Sequence, residues 1–208
     1  MLPFVLALAL QAADQPPRFT MTPPPRARAV EGAIEQVELS PLYRTAFLCS
    51  EHYEGQIDYA GDALGTDCLV TGGVDGRSGF SRLYRTDGRA NADWYGWGAD
   101  VLAPFDGIVE GVYANPNVNE PGTMGRPPAG MIRFRRDDGT LVVYGHVADI
   151  AVQAGDRVRA GQPVARVGNN GMSRSPHIHV GAYRGDLPLQ IRWDLRAMAR
   201  LQGGAGEE

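Results

Sequence analysis

The chain has no lysine; all of its 20 basic side chains are arginine. Chemistry that needs a lysine amine, such as a Schiff base or a cofactor arm carried on a hairpin lysine, is therefore excluded. Cysteine occurs only twice, at Cys49 and Cys68, with no CxxC pair, so a thiolate-ligated zinc is excluded as well. No excess of positive charge exists: the formal net charge is −4, which makes nucleic acid an unexpected partner. Long hydrophobic runs are missing too. The most apolar stretch, Leu2 to Leu10, is too short to cross a bilayer as a helix, so no transmembrane helix is expected. Histidine is scarce, with four in 208 residues.

That short apolar run is followed by Gln11-Ala12-Ala13-Asp14, the pattern of a secretory signal, and residues 1–13 are read as one. Export implies an oxidising compartment, periplasmic or elsewhere in a cell envelope. There Cys49 and Cys68 are most simply a disulfide, whereas in a cytoplasm they would be free thiols. Residues 14–40 are proline-rich around Pro23-Pro24-Pro25 and read as a linker, with a helix-capable piece from Ala29 to Leu39. Residues 41–90 are polar and glycine-rich and form an extension that carries both cysteines and His52.

From Asp100 onward short β-type runs alternate with turn residues. Met131 to Phe134 and Leu141 to Tyr144 flank Asp137-Asp138-Gly139, the pattern of a hairpin. Val152 to Val158 and Arg159 to Gly168 carry glycine turns at matched places and read as a tight meander. Asn115 to Pro128 is a long loop of the kind that rims a site. Nothing before Leu189 has a helical period; Arg192 to Leu201 suits a short terminal helix. The domain over residues 91–190 is thus expected to be all-β, an antiparallel sheet folded over a core, with 191–208 as a C-terminal tail.

Ser175-Pro176-His177-Ile178-His179-Val180 holds two histidines one residue apart. On a strand both imidazoles project from one face while Ile178 and Val180 enter the core. Such a pair can share a metal ion or equally line the wet face of an edge strand.

In order along the chain, Val101-Leu102-Ala103-Pro104-Phe105-Asp106-Gly107, Val143-Tyr144-Gly145-His146, Gly155-Asp156-Arg157-Val158, Val167-Gly168-Asn169-Asn170-Gly171 and Pro176-His177-Ile178-His179 resemble the β-domain of lysostaphin-type (LytM-like) zinc endopeptidases. These enzymes cut cross-linking peptides of bacterial peptidoglycan. The resemblance covers about Asp93 to Tyr183. It implies one Zn2+, a peptidoglycan peptide as substrate, Asp93 and His179 as metal ligands, and His146 and His177 as catalytic histidines. The family's remaining ligand, a histidine four residues before the aspartate, falls on Arg89. A guanidinium keeps its proton and repels a cation. Asn91 or His52 is then the candidate third donor. The alternative is a degenerate domain that binds cell wall or regulates other cell-wall hydrolases. Trp94, Tyr95 and Trp97 fit either a substrate groove or core packing.

Overall fold

The structure is a computed structural model that describes residues 21–75 and 79–203, so the signal-like segment 1–13 lies outside the described residues. Along the chain stand β1 (Gln36–Leu39), β2 (Phe47–Glu51), β3 (Thr66–Val70), β4 (Asp100–Leu102), β5 (Gly107–Tyr113), β6 (Met131–Arg135) and β7 (Leu141–Gly145). They are followed by β8 (Val147–Ala148), β9 (Arg157–Val158), β10 (Pro163–Val167), β11 (Ile178–Arg184), β12 (Leu187–Pro188), β13 (Gln190–Trp193) and α1 (Leu195–Gly203). The largest sheet is antiparallel in the order β2-β3-β11-β7-β6-β5-β9, with β12 beside β11. A small antiparallel sheet, β4-β10-β8, and a parallel pair, β1-β13, complete the described strands. The architecture is antiparallel β, as the sequence pattern predicts.

Alternation explains the core. Ile132 and Phe134 of β6, Val142 and Tyr144 of β7, and Ile178 and Val180 of β11 are fully buried on one side of the large sheet. They pack with Val101, Val109, Val164 and Leu189, and the Phe134 and Tyr144 rings meet edge to face at 5.1 Å. The polar ends of two core tyrosines are satisfied: Tyr43 donates to the Cys68 carbonyl at 2.9 Å and Tyr144 to the Leu102 carbonyl at 3.0 Å.

The hairpin at Asp137-Asp138-Gly139 joins β6 to β7, with Gly139 at a positive φ of 82°. Three other expectations need correction. The helix-capable piece, Ala29 to Leu39, instead ends in strand β1. Its alternate residues Val37 and Leu39 are buried, and β13 supplies backbone partners that outweigh local propensity. The two halves of the expected meander separate: β9 joins β5 in the large sheet, while β10 joins β4 and β8 in the small one. Each half finds its ladder with a distant strand. The terminal helix occupies Leu195–Gly203, because residues from Gln190 to Trp193 are held in β13.

The proline-rich stretch lies against the body from residue 21 on: Met21 is buried and Arg26 bridges to Tyr59. Residues 41–90 enter the large sheet itself through β2 and β3, the latter pairing with β11. The strand with the two histidines is therefore an interior strand, flanked by β3 and β7.

Cys49 and Cys68 face each other directly across β2 and β3 and form a disulfide that spans 19 positions of sequence. Closing a loop of this size stabilises by about 3 kcal/mol through the unfolded chain. The double variant Cys49→Ser/Cys68→Ser is expected to lose about that much in urea unfolding, and added reductant should then have no further effect. A wild-type protein insensitive to reductant would contradict this.

Candidate functional site

All four histidines of the chain converge. His52 directly follows β2, His146 stands at the junction of β7 and β8, His177 immediately precedes β11, and His179 lies within it. Ring centroids are 4.6 Å apart for His146 and His177, 5.3 Å for His52 and His179, and 6.5 Å for His146 and His179. At the centre is the carboxylate of Asp67 on β3. Its oxygens lie 2.9 Å from His179 Nδ1, 3.4 Å from His52 Nε2 and 3.5 Å from His177 Nε2.

Sheet geometry makes this convergence. Asp67 is directly opposite His179 across the β3–β11 ladder, and both side chains stand on the face opposite Cys68 and Ile178. Gly145, opposite His179 on the other flank, leaves room, since a Cβ there would lie 3.4 Å from His179 Cβ.

His146 and His177 are fixed by main-chain carbonyls. His146 Nδ1 is 2.7 Å from the Asn170 carbonyl, and His177 Nδ1 is 2.8 Å from the Ser175 carbonyl. A carbonyl only accepts, so each Nδ1 carries its hydrogen, and in neutral His146 the lone pair is on Nε2. His146 has φ 64°, a left-handed conformation that costs a non-glycine residue free energy. The Asn169-Asn170 segment holds it there. Asn170 Nδ2 donates to the Val147 carbonyl at 3.0 Å, its Oδ1 accepts from Gly130 N–H at 2.7 Å, and Gly168 N–H donates to the His146 carbonyl at 3.1 Å.

Charge follows the geometry. Burial works to raise the Asp67 carboxyl, but hydrogen bonds and charge from His177 and His179 outweigh it and hold the group well below the usual carboxylate range. Burial works to lower His179, yet Asp62 and Asp67, each 2.9 Å away, push it up to about 9 in the metal-free protein. His146 falls to about 3, first through burial and then through repulsion from His177 and His179.

Of the residues expected from sequence, His146, His177, His179 and His52 meet in this cluster. Asp93 does not join it. Asp93 ends a single 3-10 turn, Asn91–Asp93, and its carboxylate accepts from Ala90 N–H at 3.0 Å. Asn91 has both ends of its amide occupied, donating to the Asn119 carbonyl and accepting from Asn169 Nδ2. Arg89 is solvent-exposed, with its guanidinium 3.4 Å from Asp87, so no guanidinium enters the cluster. Asp67 and Asp62 were invisible to motif spacing. The available signal was a carboxylate beside a disulfide cysteine in an alternating strand. The aromatic trio divides: Tyr95 packs on the core beneath Arg85, Trp94 donates to the Gly88 carbonyl, and Trp97 walls a cleft with Asn115, Val118, Ile150 and Asn169.

Two imidazoles and a carboxylate, with donor atoms all within 4.8 Å of one another, form a set that could hold a metal ion among the described residues: His52, Asp67 and His179. The set suits zinc, which takes three such donors and keeps one open position. Among the described residues the buried Nδ1 of His52 has no hydrogen-bond partner, while Nε2 faces Asp67.

The low basicity of His146 has a checkable consequence in the metal-free protein. Its folded value lies below the ordinary unfolded value of about 6.5, so the unfolded chain binds the extra proton first. Its contribution to stability is complete above that pH and is lost as pH falls toward 3. In an NMR titration the His146 ring should stay neutral from about pH 7 to about pH 4.5. A midpoint near 6.5 would refute the assignment.

Residues 93–191 match the family model described as peptidase family M23. A curated protein of Haemophilus influenzae described as an uncharacterized metalloprotease is 39% identical over 82 residues; this covers 39% of the chain and only 15% of that protein's length. Among solved structures, a mutant of the catalytic domain of the prophage-encoded M23 protein EnpA from Enterococcus faecalis is 21% identical with a TM-score of 0.46, covering 70% of this chain and 87% of that one. Lysostaphin is 18% identical with a TM-score of 0.41, covering 69% and 46% respectively. The family match takes in His146, His177 and His179 but begins after His52, Asp62 and Asp67. Residues 93–191, which carry these ordered histidine motifs, are thus similar to peptidase family M23.

Proposed function

We propose that the protein is a zinc-dependent endopeptidase acting on the peptide cross-links of bacterial peptidoglycan, with His52, Asp67 and His179 as the metal ligands. The observation that carries this reading is the convergence of His52, His177 and His179 on the Asp67 carboxylate, with the His146 ring 4.6 Å from that of His177. When bound, zinc supplies Lewis acidity: it polarises a carbonyl and makes water acidic enough to act near neutral pH. The chain supplies the remainder.

His146 stays neutral and holds its lone pair on Nε2, fixed in that tautomer by the Asn170 carbonyl. It is the proposed general base for the attacking water. His177, held through Nδ1 by the Ser175 carbonyl, directs Nε2 toward the same carboxylate. In its imidazolium form, with a hydrogen on each nitrogen, it is the proposed donor through Nε2 to the oxyanion that develops on the substrate. The cleft walled by Trp97 and by residues 114–118 adjoins His146 through Val147 and Asn170, and is the proposed bed for the peptide. The signal-like N-terminus and the Cys49–Cys68 bridge support an exported, periplasmic or cell-envelope location. Among the described residues no helix is long and apolar enough to cross a membrane.

The purified protein should bind one zinc and release soluble peptides from purified peptidoglycan, with activity lost to a chelator and restored by zinc. His52→Ala, Asp67→Ala and His179→Ala should each lose tight zinc binding, whereas Asp93→Ala should retain both metal and activity. His146→Ala and His177→Ala should keep zinc and lose about 10²–10⁴-fold in hydrolysis. A protein that takes no zinc, or one whose zinc depends on Asp93 instead of Asp67, would refute the proposal. Unchanged wall binding by a zinc-free, inactive wild type would identify a non-catalytic wall-binding domain.

A further inference from the structure

We propose that Asp62 is the positioning residue of the zinc site: it holds the back of the His179 ring so that Nδ1 faces the metal-ligand set. This rests on the reading of His179 as a zinc ligand. Asp62 Oδ1 lies 2.9 Å from His179 Nε2, while His179 Nδ1 lies 2.9 Å from Asp67 Oδ1 on the other side. A carboxylate only accepts, so Nε2 carries a hydrogen toward Asp62. Nδ1, which faces Asp67 and carries a hydrogen toward it in the metal-free protein, is then the nitrogen that would ligate once a metal displaces that hydrogen. Asp62 itself stands outside the three residues whose donor atoms lie mutually within 4.8 Å.

The turn that carries Asp62 is built to hold this contact. Asp62 N–H and Ala63 N–H both donate to the Tyr59 carbonyl, and Gly65 N–H donates to the Asp62 carbonyl at 2.9 Å. The Gly65 carbonyl accepts from His52 N–H at 2.8 Å, which ties the same turn to a second proposed ligand. Ala60, Ala63 and Leu64 are buried beneath it. Two glycines let the turn lie directly on β11. A Cβ at Gly65 would come within 2.9 Å of His179 Cε1, and one at Gly181 within 1.4 Å of the Gly61 carbonyl oxygen. The carboxylate is thus locked in place before any metal arrives. A carboxylate behind a ligating imidazole fixes its tautomer and ring plane and makes its other nitrogen a better donor.

Zinc affinity, measured by competition with a chromophoric chelator, and ¹⁵N NMR of the His179 ring in zinc-loaded protein test this. Asp62→Ala should still bind one zinc, with a Kd raised about 10–100-fold. The Nε2 hydrogen seen in wild type should then exchange too fast to observe. Asp62→Asn, which keeps an acceptor oxygen without its charge, should recover part of the loss. Urea unfolding of the metal-free variants shows whether the fold is intact. Wild-type affinity and unchanged His179 signals in Asp62→Ala would overturn the proposal and leave the zinc site standing. Complete loss of zinc, matching His179→Ala, would overturn it by making Asp62 a ligand. A wild type that takes no zinc would overturn both readings together.

Discussion

The site depends above all on the register between β3 and β11. Alternate side chains of paired strands share a face, and with His179 opposite Asp67 the carboxylate and the imidazole meet on one side while Cys68 and Ile178 fill the core on the other. A slip of one residue would turn Asp67 into the core and Cys68 toward the histidines. Two features oppose that slip. The disulfide fixes β3 against β2 at Cys49, and the wholly buried Ile178 and Val180 fix β11 against the core. The covalent bond and the hydrophobic contacts therefore specify the same alignment, and the polar cluster inherits it.

The cluster itself is a balance of unfavourable burial against close opposite charge. Burial works against the charge of both Asp67 and His179. Together they keep it. His146, a few ångströms away and without a carboxylate of its own, goes the other way and remains neutral. One small volume thus contains an imidazole that prefers charge and another that refuses it. A metal ion can be ligated only by a neutral imidazole, so the proton that His179 favours in the metal-free protein would have to leave as a metal bound.

How legible this was from sequence depended on how local each contact is. His146, His177 and His179 sit in short motifs whose spacing is set within one strand or one turn, and they could be named without any structure. The hairpin at Asp137-Asp138-Gly139 was equally local. Asp67 was not legible, because it reaches His179 across 112 positions through a strand pairing that no short window encodes. Asp93 stood in its place only by family spacing; a 3-10 turn holds it elsewhere. His52 could be named as a donor but not placed, since β2 had to be recognised as part of the main sheet. The strand β1 was hidden for a related reason: its ladder with β13 joins the two ends of the described chain.

The long reach between Asp67 and His179 bears on when the centre comes into existence. Contacts that close large loops form late, after local turns and hairpins have reduced the entropy to be overcome. A chain emerging from its N-terminus exposes His52 and Asp67 long before β11 exists to meet them. An incomplete polypeptide therefore lacks His179, and an unfolded one carries all the parts on one thread without bringing them together. The cluster is assembled by the closure of the sheet, so the order of folding itself withholds it until β3 and β11 have paired.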